Sequence, residues 1–94
     1  MPWIRGFEWD EENLSHIAKH GATPEEVEEA LTGAPVVFRG RDGRYLAHGQ
    51  TESGRLLFVV YVSRPRGRIR VITARDMTES EKRLWRRRRT QGRR

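Results

Sequence analysis

The chain has no cysteine in its 94 residues. That excludes disulfides, thiolate metal sites and a cysteine nucleophile, and leaves the redox compartment open. Only 9% of the residues are aromatic and two are methionine. No apolar run approaches the ~20 residues of a membrane-spanning helix. With 35% hydrophobic residues, a chain this short buries roughly 60–65% of its unfolded surface, so its core is small and has no surplus for an internal ligand cavity. No secretory leader is expected before Trp3. The expectation is a soluble cytoplasmic protein, one domain over residues 1–89, with a disordered basic tail over 90–94.

Charge is what the chain has in abundance, and it is sorted. Residues 1–38 carry two basic side chains against eight acidic ones, whereas residues 39–94 carry seventeen against five. The net charge of +6 therefore conceals an acidic N-terminal third and a strongly basic remainder. Solubility alone does not require the two signs to be separated; a polyanionic partner does.

The hydrophobic period divides the chain the same way. In "FEWDEENLSHIAKHG", Asp10 suits a helix N-cap and Leu14, Ile17 and Ala18 form an apolar stripe, with Gly21 as the stop. In "TPEEVEEALTG", Thr23, Pro24 and Glu26 form a capping box with proline in the first turn, and Val27, Ala30 and Leu31 face the core. From Ala34 the period becomes two: strands at 35–38, 44–50, 55–62 and 68–74 are separated by short connections containing glycine. The third of these is apolar on both faces and should be central. Residues 3–9 could add a short edge strand. A last helix opens at "MTESEKRLW", capped by Thr78 with Glu81 in the capping-box position. The fold expected is α+β: two N-terminal helices, a four-stranded antiparallel meander and a C-terminal helix, with the helices on one face of the sheet.

Candidate chemistry concentrates in "RGRIRVITARD". Strand parity sends Ile69 and Val71 to the core and Arg68 and Arg70 to the open face, and groups Ile72 and Ala74 with the arginines; Arg75, at the strand end, has no direction fixed by parity. Arg44 and Arg64 could converge on the same face. Guanidinium groups on one face repel unless an anion joins them, and their planar donor fork matches phosphate oxygens. The alternative is a solvated charged face. Glu81 could take a proton from a ribose 2′-hydroxyl while arginines stabilise a phosphorane, although the capping box alone explains it. His48 is the other proton-transfer candidate, against the plainer reading of a surface histidine. His16 and His20 share a helix face but lack a third ligand, so no metal and no cofactor is expected. Tyr45 and Tyr61 are the rings best placed for exposure, whereas Phe58 and Trp85 read as core. Arg86–Arg89 cannot all rest on the domain and read as a phosphate- or partner-contacting arm.

Taken together, "FEWDEENLSHIAKHG", "TPEEVEEAL", "GRYLAHGQTESGRLLFVVYV" and "RIRVITARDMTESEKRLW" resemble, in order, the BrnT family of bacterial toxins, over residue 7 to about residue 86. The resemblance implies a RelE-like fold and a toxin of a type II toxin–antitoxin system that cleaves RNA without a metal. It implies neutralisation by BrnA, a ribbon-helix-helix antitoxin, in a possible homodimer or two-plus-two heterotetramer that meets operator DNA only through the antitoxin. It maps functional positions onto Arg44, Arg70, Arg75 and Glu81. Where the family often has an aromatic such as tyrosine late in the last helix, this chain has Trp85.

The leading expectation is a metal-independent endoribonuclease that arrests translation. Arg70 and Arg75 hold the scissile phosphate, Arg44 or Arg64 a neighbouring one, Arg68 and Arg86 further backbone, and Glu81 or His48 moves the proton. The arginines are expected to gather in one pocket. The competing expectation is a non-catalytic basic module that binds nucleic acid or an acidic partner.

Overall fold

A computed structural model describes residues 4–91, with side chains to residue 89. In chain order the elements are β1 (Gly6–Glu8), α1 (Glu11–Ala18), α2 (Pro24–Thr32), β2 (Val36–Arg39), β3 (Arg44–Gln50), β4 (Leu56–Arg64), β5 (Arg68–Asp76) and α3 (Glu79–Gln91). The α+β class and the central place of β4 are as expected. The sheet, however, has five strands in the order β1-β5-β4-β3-β2, and β1 pairs parallel with β5, making it mixed rather than a four-stranded antiparallel meander. The short edge strand expected within residues 3–9 is present as Gly6–Glu8; what three residues of period-two patterning could not reveal is its parallel pairing. Helix α3 continues to Gln91, two residues into the expected tail; residues 92–94 lie outside the described residues, as does Trp3.

The helices also divide between the two faces, contrary to the single covered face expected. On one face Leu57, Val59 and Tyr61 of β4 meet Ala47 of β3 and Val71 and Ala74 of β5, under Ile17 of α1 and Val27, Ala30 and Leu31 of α2. Tyr61 is thus core, not an exposed ring. Full burial of each such aliphatic side chain contributes about 1.5–3 kcal/mol. Helix α2 approaches β3 so closely that a Cβ on Gly49 would stand 2.3 Å from the Ala30 carbonyl oxygen. Only glycine permits that contact. Helix α3 lies on the opposite face, against β2 and β3, with Trp85 buried and few other apolar residues to hold it.

Helix α1 departs from the expected stripe. Ile17 is buried, but Leu14 is 37% exposed and Asn13 takes the inner position. Strand β1 is short, so the outer edge of β5 beyond Arg70 has no strand beside it. The Asn13 Nδ2 donates to the Glu8 carbonyl at 2.8 Å and the Val71 carbonyl at 3.0 Å, closing the gap between the two strands. Its Oδ1 accepts from the Asp10 N–H at 2.8 Å in a reciprocal capping box. A buried amide is stable here because its polar atoms are satisfied.

One irregularity decides where the arginines point. Val60 pairs with Thr73, yet Tyr61 pairs with Val71, so Ile72 is an extra residue in β5. This bulge reverses the parity beyond it. Ala74 turns into the core, where simple alternation had placed Thr73, and Arg75 joins Arg68 and Arg70 on the α3 face.

Candidate active site

Strand register arranges the α3 face in rows. Across β3, β4 and β5 the first row is Arg44, Val62 and Arg70; the second is Leu46, Val60 and Thr73; the third is His48, Phe58 and Arg75. Rows one and three stand about 13 Å apart along the strands, and the outer residues of a row about 10 Å apart across them.

In the third row the Arg75 guanidinium stacks over the Phe58 ring, 4.3 Å from its centroid. Its Nη1 and Nη2 donate to the two carboxylate oxygens of Glu81 at 2.8 and 3.0 Å. Glu81 reaches this position because Thr78 caps α3: the Thr78 N–H donates to Glu81 Oε1 at 2.9 Å, and the Glu81 N–H to Thr78 Oγ1 at 3.2 Å. Those bonds, led by the Arg75 fork, hold the Glu81 carboxyl down at about 2. It is a strong ion-pair partner and a weak proton acceptor.

His48 lies beside this pair and is 5% exposed, not a surface residue. Its ring is edge-on to Phe38 (centroids 5.9 Å apart) and tilted against Phe58 (5.2 Å). Among the described residues, neither ring nitrogen has a hydrogen-bond partner. Burial lowers its pKa, against the opposing field of the Glu81 carboxylate and with a smaller contribution from Arg75, so the ring is neutral at pH 7. Two unsatisfied buried nitrogens are a standing cost of folding, about 1–3 kcal/mol for such a group.

The first row is open. Arg44 and Arg70 line one pocket of about 230 Å³ with Glu12, Asn13 and His16. Arg70 donates to Asp10 at 2.7 Å and Glu12 at 3.0 Å. That contact holds the Asp10 carboxyl below its usual range and strengthens the hold of Arg70 on its proton. Arg44 is exposed, and no ion pair joins it to another described residue.

The arginines therefore do not gather in a single pocket. Arg44 and Arg70 share one; Arg75 pairs with Glu81; Arg64 and Arg68 turn towards Glu8, at 3.3 and 3.8 Å, at the hairpin end of the sheet. Arg86 is exposed on α3, while Arg88 and Arg89 stack over Phe38 and Trp85. His16 is exposed on α1 and His20 lies beyond its end. Sequence reasoning missed Phe58 as the platform for Arg75, having read it as simple core. It also missed Asp10 and Glu12 as competitors for Arg70. The acidic run beside a basic strand was the available signal, but it was absorbed by the reading of a helix cap.

The mixed sheet of this small α+β domain thus presents arginines, a buried histidine and a carboxylate beneath a C-terminal helix, groups able to bind an anion and to move a proton. The comparison with protein families is specific: the family described as the ribonuclease toxin BrnT of type II toxin–antitoxin systems matches residues 9–81, and the chain belongs to that family. Among solved structures, the crystal structure of the Brucella abortus ribonuclease toxin BrnT is similar at 25% identity and a TM-score of 0.64, covering 79% of this chain and 97% of that one. A comparison with curated proteins finds no match.

Proposed function

We propose that this ribonuclease toxin cleaves RNA without a metal, by attack of a ribose 2′-hydroxyl on the adjacent phosphorus, on the α3 face of the sheet. The observation that carries the reading is the His48–Phe58–Arg75 row, in which a neutral imidazole with no hydrogen-bond partner among the described residues stands beside a guanidinium on a common aromatic platform. His48 takes the 2′-hydroxyl proton as the 2′-oxygen bonds to phosphorus. Arg75 stabilises the negative charge on the equatorial oxygens of the phosphorane. The 5′-oxygen leaves with a proton from solvent, giving a 2′,3′-cyclic phosphate and a 5′-hydroxyl.

Glu81 holds Arg75 in place in this scheme. A carboxyl held at about 2 lies far from the operating pH, where a general base works best when its pKa is near it. A phosphate competes with Glu81 for the Arg75 fork, and its arrival loosens the first turn of α3 and uncovers His48. Arg44 and Arg70 bind a neighbouring phosphate in the first row, with Arg64, Arg68 and Arg86 as peripheral contacts. The partner that neutralises the toxin is a BrnA-like antitoxin, and the setting is the cytoplasm.

Analysis of the product ends tests this. Cleavage of single-stranded RNA in EDTA should yield 2′,3′-cyclic phosphate and 5′-hydroxyl ends. Products with 5′-phosphate ends, or cleavage that requires added Mg²⁺, would rule the scheme out. The non-catalytic alternative predicts binding without any cleavage.

A further inference from the structure

The sheet carries a groove of about 430 Å³, lined chiefly by residues of the face opposite the proposed active site. Its floor includes Ile4, Val37 of β2, Tyr45 of β3 and Ile69 of β5, and Pro35 stands at its margin. Strand β2 is the last strand of the sheet, so the groove runs up to an open backbone edge. Gly40 N–H donates to the Arg44 carbonyl at 2.8 Å, and in an antiparallel ladder bonded and non-bonded pairs alternate. Phe38 and Val36 therefore bond inward to β3, while the N–H and C=O groups of Val37 and Arg39 point out from the edge. The side chains of Val37 and Arg39 share the groove face with Tyr45, and the Arg39 guanidinium lies 5.9 Å above the Tyr45 ring.

We infer that this edge and groove dock an extended acidic segment of a partner protein, which adds a strand to β2 and places alternate apolar side chains in the groove. The outward groups of Val37 and Arg39 supply the backbone ladder, the mode by which exposed strand edges bind peptides. Charge fixes the sign of the partner. The β2–β3 and β4–β5 hairpins lie at the same end of the sheet, where Arg64 and Arg68, from the strand ends, line the groove with Glu8 as their ion-pair partner and Arg39 lies over Tyr45. A second copy of the chain would set two such arginine-rich ends against each other. A nucleobase finds little ring face free: Tyr61 is buried and stacked on Tyr45, and Arg39 covers Tyr45. The proposal draws on the toxin–antitoxin reading only for who the partner is; its readout is binding, so it stands or falls separately from RNA cleavage.

The test is an NMR titration of the isotope-labelled full chain with the peptide acetyl-Glu-Val-Glu-Ile-Glu-Val-Glu-amide, its lysine counterpart, and a version N-methylated at alternate residues. Shifts at Val37, Arg39, Tyr45 and Ile69 are expected with the acidic peptide. Binding should fall roughly tenfold on N-methylation of the ladder-forming positions, as for one to two lost backbone hydrogen bonds. Arg39→Pro, which removes an outward N–H and leaves the inward ladder intact, should weaken binding more than Arg39→Ala. The N-methylated peptide gives the same information without touching the protein, should the proline variant unfold. Equal binding of acidic and lysine peptides, indifference to N-methylation, the same shifts with a single-stranded RNA decamer, or shifts produced by raising the protein concentration alone would each overturn the proposal.

Discussion

Replacing Glu81 by glutamine separates its two possible jobs. The amide oxygen can still accept from the Thr78 N–H, so the helix cap survives, while the charge that faces Arg75 is lost. The fall of the Glu81 carboxyl from 4.5 to about 2 corresponds to about 3 kcal/mol if taken whole. Arg75 is about a third exposed, and solvent screening reduces this to roughly 1–2 kcal/mol. Because the folded pKa is depressed, the contribution is full above the unfolded value near 4.5 and disappears as pH falls through 2. Glu81→Gln should therefore lower stability by about 1–2 kcal/mol at pH 7, or a Tm drop of roughly 5–15 °C, and by almost nothing at pH 2. Urea denaturation at the two pH values measures it. In single-turnover cleavage the variant should lose less than about tenfold, because the charge on Arg75 remains, whereas loss of a true general base costs about 10²–10⁴-fold. A loss in that larger range, together with disappearance of the acid limb of the pH profile, would refute the assignment of Glu81 as the holder of Arg75.

Three further outcomes follow from the same geometry. His48→Leu should leave the fold at least as stable, by up to about 1–2 kcal/mol, since it removes unsatisfied buried nitrogens, yet abolish cleavage. With His48 present, its lowered folded pKa means stability is lost as pH falls below 6.5 and the cleavage rate rises with pH along a limb lying below 6.5; denaturation and rate profiles of the two proteins check both. Asn13→Ala should cost about 2–3 kcal/mol in denaturant unfolding, because the Glu8 and Val71 carbonyls lose their shared donor in a buried place. Arg44→Ala should reduce the slope of log affinity against log salt for uncleaved RNA by about one contact, with little effect on the rate at saturating RNA.

What could be read from the residues alone was local. Each helix start was legible because capping is a matter of three or four adjacent side chains: Asp10, Thr23 with Glu26, and Thr78 with Glu81 all cap as their spacing implies. The β2–β3 hairpin was equally plain, since Asp42 and Gly43 both take the positive φ such a turn needs. What escaped was set by long-range geometry. Nothing in "RIRVITARD" marks Ile72 as a bulge, and that one residue decides that Arg75 faces Phe58 and Glu81 rather than the core. The side of the sheet that α3 covers depends on where Trp85 finds room, which no spacing encodes. Asn13 was hidden in a stripe of apolar neighbours because its reason for burial, the open edge of β5, lies 58 residues away. For the candidate site, the residues could be singled out from the sequence but their contacts could not: the acidic residues that hold Arg70 come from the opposite end of the chain.

In the proposed reaction most depends on Arg75 carrying the developing phosphorane charge. Single-turnover cleavage of a fluorescent RNA in EDTA, by wild type and by a folded Arg75→Ala variant, tests that directly. The rate should fall by about 10²–10³-fold, as for loss of one charge-stabilising donor, with RNA binding reduced far less. Cleavage by Arg75→Ala at the wild-type rate would contradict it.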